Sequence, residues 1–110
     1  MATALSETEY LSLAHAELKS LLAALDQLGD DLEAELSSDI LTVELLQGGT
    51  YVINSHTAAR QIWMAADRRA WHFDYDRDRQ CWIASKSNEE LWQTLQNALS
   101  AKLGHPIRLS

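Results

Sequence analysis

Ile40-Leu41-Thr42-Val43-Glu44-Leu45-Leu46-Gln47-Gly48-Gly49-Thr50-Tyr51-Val52-Ile53-Asn54 reads as strand, tight turn and strand, with the strands over Ile40–Leu46 and Thr50–Asn54. The paired glycines decide the reading, because they supply the positive φ that hairpin turns demand. Upstream, Asp31, Glu33 and Glu35 alternate with Leu32, Ala34 and Leu36. An extended chain there puts carboxylates on one face and aliphatics on the other, which predicts a half-buried strand. Downstream, further strands are expected at Gln61–Ala65, Trp71–Tyr75 and Cys81–Ala84, with the charged stretch Asp76–Gln80 as the turn between the last two.

The period changes to helical at both ends of the chain. Ser6 followed by Glu9 has capping-box spacing, and Tyr10, Leu13, Ala14, Leu18, Leu21, Leu25 and Leu28 then recur at three- and four-residue steps. This predicts an amphipathic helix over roughly residues 7–28, stopped at Gly29. Ser87-Asn88-Glu89-Glu90 repeats the capping spacing before Leu91, Trp92, Leu95, Ala98, Leu99 and Leu103, a second helix running to Gly104-His105-Pro106. A helix, a run of antiparallel strands and a closing helix make an α+β fold. Its expected form is a two-layer α/β sandwich with both helices on one face of the sheet.

The totals narrow the function classes. At 110 residues the chain is the size of one domain, read here as a single domain over residues 1–110. One cysteine, Cys81, cannot form an internal disulfide. No segment approaches the ~20 apolar residues needed to span a bilayer, and the N-terminus lacks a signal-peptide pattern. The expectation is a soluble, cytoplasmic protein without a membrane role. Charge is the most informative quantity. Residues 1–50 carry a net −9, with Lys19 their only base, whereas residues 51–110 carry +2, for a total of −7. Such an acidic half argues against nucleic acid and favours cations or a basic protein patch.

No Cys-x-x-Cys, no His-x-x-x-His and no calcium-loop spacing is present. What remains is an open field of carboxylates, which hard cations such as Fe²⁺, Fe³⁺, Mn²⁺ or Co²⁺ can visit with most of their water retained. Its densest stretch is Asp26, Asp30, Asp31, Glu33 and Glu35. Charge on an exposed strand also discourages edge pairing, but five acids within ten residues without a base exceed that need and suggest a positively charged partner. Alternation from Ile62 and Met64 puts Trp63 on the open sheet face, where an indole is a typical interface anchor. Trp71, Phe73 and Tyr75 share the core face, with His72 and Asp74 outward. Trp82, Trp92 and Cys81 read as structural.

The element order, together with three local strings, resembles the frataxin family. Asn54 leading to Gln61-Ile62-Trp63-Met64-Ala65 is similar to the family's asparagine preceding a Gln-(Ile/Val)-Trp-Leu strand. Trp71-His72-Phe73-Asp74 is similar to the aromatic-His-Phe-Asp string of bacterial frataxins, and the acidic run at Asp26–Glu35 is the third. The likeness spans about Glu9 to Leu103. One departure stands out: bacterial frataxins usually carry acids on the exposed middle of the first helix, whereas this helix has Leu22-Ala23-Ala24, with His15 and Glu17 as further candidate ligands on its outer side.

The resemblance implies a frataxin-like sandwich and a non-enzymatic, iron-binding regulator of iron–sulfur cluster assembly. It would dock on a cysteine desulfurase and an iron–sulfur scaffold protein and could supply iron. It also implies weak iron binding at Asp26, Asp30, Asp31, Glu33 and Glu35, and scaffold contacts through Asn54, Gln61 and Trp63. The oligomeric expectation is a monomer, with iron-dependent oligomers as an alternative. Two other readings stay open: ferroxidase or iron-storage activity on the acidic surface, and an acidic adaptor without a metal role. Against an enzyme, no nucleophile–base pair and no phosphate-cradling loop can be placed.

Overall fold

A computed structural model describes residues 5–109. Helix α1 spans Glu7–Asp26; the strands are β1 Leu32–Ser37, β2 Ile40–Leu45, β3 Thr50–His56, β4 Gln61–Ala66, β5 Arg69–Asp76, β6 Cys81–Ala84 and β7 Glu89–Glu90; helix α2 spans Leu91–Leu103. The seven strands form one antiparallel meander in sequence order. Both helices cover the same face of it, the α+β two-layer sandwich expected from the periodicity.

Helix α1 starts where the sequence says it should. The Ser6 hydroxyl accepts from the Glu9 amide and the Glu9 carboxylate accepts from the Ser6 amide, so both capping-box bonds are made. Tyr10, Ala14, Leu18, Leu21 and Leu25 are buried against the sheet. They meet Leu41 and Val43 of β2, Tyr51 and Ile53 of β3, Ile62 and Met64 of β4, Trp71 and Phe73 of β5 and Trp82 of β6, all in one core. Tyr75 is half-buried, its ring edge-on to Trp82 with centroids 5.3 Å apart.

Tyr10 is fully buried, and its hydroxyl donates to the Gln61 carbonyl at 2.6 Å, fastening α1 to the start of β4. Tyr10→Phe removes the donor and keeps the ring. The expected loss is about 1–2 kcal/mol of unfolding free energy, read by denaturant titration, because a carbonyl is left short of a partner.

Two expectations are corrected. Asp31 is not in the first strand: the chain passes through a 3-10 turn at Gly29–Asp31, with Gly29 at φ +76°, and β1 begins at Leu32. Ser87 does not cap α2. The N-cap is Glu90, whose carboxylate accepts from the Trp92 and Gln93 amides, and Glu89–Glu90 form a seventh strand against β6. The acidic side chain thus sits at the positive end of the helix dipole. Beyond Gly104 the described chain packs back along α2. Ile107 and Leu109 are buried, their amides donating to the Ser100 hydroxyl and the Gln96 side-chain oxygen on α2.

Candidate functional site

Strand register decides what shares the open face of the sheet. Asn54 of β3 lies opposite Trp63 of β4, and Trp63 lies opposite His72 of β5. In the next rank His56 faces Gln61 and Gln61 faces Asp74. Cross-strand and diagonal neighbours on one face lie within reach of aromatic side chains, and here the reach is used. The Trp63 indole is sandwiched between two imidazoles, with His56 at 3.9 Å and 10° and His72 at 4.1 Å and 12° between ring centroids and planes.

The same indole is also held along its edge. Trp63 Nε1 donates to Gln61 Oε1 at 2.8 Å, and Gln61 Nε2 donates to Asp74 Oδ1 at 3.1 Å. Trp63 is half-buried by these neighbours, while Ile40, opposite Asn54 in the same rank, is 46% exposed. Asn54 turns its amide onto the Ser55 carbonyl at 3.0 Å. The structure therefore brings together the three residues singled out for partner contact, and adds His56, His72 and Ile40. The sequence places His72 outward but cannot pair it with Trp63 without the register. His56 Nδ1 is buried without a hydrogen-bond partner.

The five acids of the ridge lie on three different elements. Asp26 is the last residue of α1, Asp30 and Asp31 are in the 3-10 turn, and Glu33 and Glu35 project from the open face of β1. Glu33 faces Glu44 of β2 and Glu35 faces Thr42. A like pair directly opposite is destabilising. Asp31 has His105 beside it, Nε2 to Oδ2 3.7 Å, a contact that carries attraction when the imidazole is protonated. Among the described residues no three His, Cys, Asp or Glu side chains converge as a metal cage.

The helix-borne candidates separate. His15 is exposed and its Nδ1 is 2.8 Å from Asp39 Oδ1, at the β1–β2 turn. Glu17 is not on the outer side as expected: it is half-buried toward α2, and accepts from Trp92 Nε1 at 2.5 Å. Burial pushes its carboxyl up from the usual range, the indole bond pulls it part of the way down, and the Glu90 charge adds to the rise.

A raised folded-state carboxyl opposes folding once it ionises. Its penalty is absent below the ordinary carboxylate range near pH 4.5 and is fully present above the raised value. Glu17→Gln keeps an acceptor for the Trp92 indole and removes the charge. The expected result is a melting temperature equal to or above that of the parent at pH 7–8, with the advantage vanishing as the pH falls to about 4.5. Melts across that pH range check it.

With this geometry in place, comparisons with known proteins converge. A family model described as a frataxin-like domain matches residues 3–105. The chain is 39% identical over 99 residues to the iron-sulfur cluster assembly protein CyaY of Thioalkalivibrio sulfidiphilus, covering 86% of this chain and 92% of that one. Frataxin from Psychromonas ingrahamii superposes with a TM-score of 0.87 at 21% identity, over 96% of this chain and 99% of that chain. Trimeric frataxin from the yeast Saccharomyces cerevisiae, complexed with ferrous iron, superposes with a TM-score of 0.73 at 26% identity, over 94% of this chain and 91% of that chain.

Proposed function

This chain belongs to the frataxin family, and from that premise we propose that it serves iron–sulfur cluster assembly as a single-domain, non-enzymatic regulator. It docks on a cysteine desulfurase and on the scaffold protein. The observation that carries the proposal is Trp63, an indole fixed flat on an open sheet face by His56, His72 and Gln61. A side chain already held in one conformation loses little entropy on binding, which is how aromatic anchors act in interfaces. Asn54 and Gln61 lie beside it as polar contacts.

The acidic ridge supplies the second contact. Asp26, Asp30, Asp31, Glu33 and Glu35 add to one negative field that steers a basic patch of the desulfurase toward the sheet. Iron would be the cargo, not a resident cofactor. Carboxylates spread over three elements fit a hydrated Fe²⁺ or Fe³⁺ exchanging among monodentate oxygens rather than a fixed cage. Weak, multi-site binding tolerant of metal identity follows.

The test is a pull-down from the cytosol of the host with the tagged chain. Co-purification of a desulfurase and a scaffold is expected, and recovery of neither would overturn the reading. Titration with Co²⁺ or Mn²⁺ in place of iron should broaden amide signals at Asp26–Glu35 first. Broadening confined to His72 or His105 would remove the ridge from the metal surface.

A further inference from the structure

Strand β1 is one of the two edge strands of the sheet, β7 being the other. The Leu46 amide donates to the Asp31 carbonyl at 3.1 Å, and Leu32 lies opposite Leu45. These fix the ladder: in an antiparallel pair that pattern makes Leu32, Ala34 and Leu36 the residues whose N–H and C=O groups point away from β2. Among the described residues no strand pairs with these outward groups. Nothing blunts this edge sterically, since β1 has no proline and no bulge in its register with β2.

Beside the edge runs a groove of about 500 Å³. One wall is a stripe of α1 bearing Lys19, Leu22, Ala23 and Asp26; the floor and far end are Leu36 and Asp39. The apolar wall is the Leu22-Ala23 stretch that marked this helix in the sequence. On the opposite flank of α1, Glu17 meets Trp92 of α2, so this stripe is the side of the helix that overhangs the strand edge. Leu22 and Leu36 are only half-buried there, and so is Ala34 farther along β1.

We propose that this groove seats an extended segment of a partner protein in which basic and apolar residues alternate, pairing with β1 as an eighth strand. The alternation follows from the faces of β1. Side chains of an added strand that lie beside Glu33 and Glu35 are best matched by lysine or arginine. Those on the other face lie beside Ala34 and Leu36 under Leu22 and Ala23, and are best matched by aliphatics. Main-chain bonds from Ala34 and Leu36 give affinity and the alternating side chains give specificity, the logic of strand addition. A second copy of this chain is a poor occupant, because its own β1 edge carries Glu33 and Glu35 and would set carboxylate against carboxylate.

This goes beyond the docking role proposed above, which needs only charge and the Trp63 face, so the two fail separately. The probe is an acetylated heptapeptide alternating lysine and valine, added to the ¹⁵N-labelled full chain. Saturable binding is expected, with slowed hydrogen exchange at the Ala34 and Leu36 amides. The same peptide methylated on its backbone nitrogens keeps charge and side chains but cannot pair; it should bind at least about tenfold more weakly. Ala34→Pro deletes one outward N–H and no internal one, which an edge position tolerates, and should lower affinity by a similar factor. The methylated-peptide comparison uses the unaltered chain, so it discriminates even where the proline variant fails to fold. Equal binding of the methylated peptide would reduce the contact to charge and overturn the proposal. So would absence of saturable binding, or protection that appears around Trp63 instead of along β1.

Discussion

Trp63→Ala is expected to weaken binding of the iron–sulfur scaffold by about thirtyfold or more, roughly 2 kcal/mol, the range of an anchoring aromatic. The isolated fold should lose less. The indole is half-buried and stacked on both faces, with His56 and His72 at 3.9 and 4.1 Å, so truncation removes two ring contacts, each of the order of 0.5–1 kcal/mol. A melting temperature lower by about 4–16 °C follows from about 1–2 kcal/mol in a domain near this size. Titration calorimetry beside thermal melts separates the two effects. A stability loss of about 3–5 kcal/mol, the scale of truncating a buried Trp such as Trp82, would place Trp63 in the core and remove its claim as an anchor. Unchanged scaffold affinity would do the same from the other side.

The prediction depends on a feature that periodicity can only half supply. Alternation with Ile62 and Met64 puts Trp63 on the open face, and that is legible from three residues. What lies beside it depends on register, and register is set by the turns. Arg69 follows Ala66 after a two-residue turn, Asp67-Arg68, with φ of +51° and +67°. Positive φ at two successive residues is the mark of the hairpin turns that match strand twist, but sequence flags it through Gly or Asn-Gly. Ser38-Asp39 does the same between β1 and β2, at +51° and +60°. Without a glycine these turns are hard to see, so the His56–Trp63–His72 stack is not derivable from the sequence. The Gly48-Gly49 hairpin is legible for the opposite reason: both residues sit above +100°, where side chains are rarely tolerated.

A similar line divides the acidic ridge. The two-residue period of Glu33 and Glu35 is a property of β1 and follows from alternation alone; extending it to Asp31 fails because Gly29 turns the chain into a 3-10 segment first. Glu17 departs from expectation for another reason. Its helical position is one step from the buried stripe, and whether such a flank is wet or covered depends on where α2 docks, which local sequence does not encode. The Trp92 indole covers it. Long-range packing of one helix flank against another is a tertiary fact, and so is the burial of Ile107 and Leu109 along α2.

Neutralising the ridge should separate recognition from folding more sharply than any single truncation. Asp31→Asn/Glu33→Gln/Glu35→Gln moves the net charge of the chain from −7 to −4, and the local costs are small. Glu33 faces Glu44 directly, so its neutralisation relieves a like pair worth a few tenths of a kcal/mol. Glu35 faces Thr42 and loses no partner. Asp31 gives up only a 3.7 Å contact to His105 between two half-exposed side chains, and exposed pairs contribute little. The triple variant should therefore melt at an equal or slightly higher temperature than the parent. Its complex with a basic desulfurase surface should suffer heavily, because three charges removed from one field act first on the rate of encounter. Affinity at low ionic strength is expected to fall at least about thirtyfold, chiefly through slower association, and the dependence on salt should flatten. At about 0.5 M salt, where exposed charges more than a few ångström apart no longer interact strongly, parent and variant should converge. Stopped-flow association at two ionic strengths reads all three outcomes. Unchanged, salt-insensitive association would make the ridge a solvated edge and leave docking to the sheet face around Trp63.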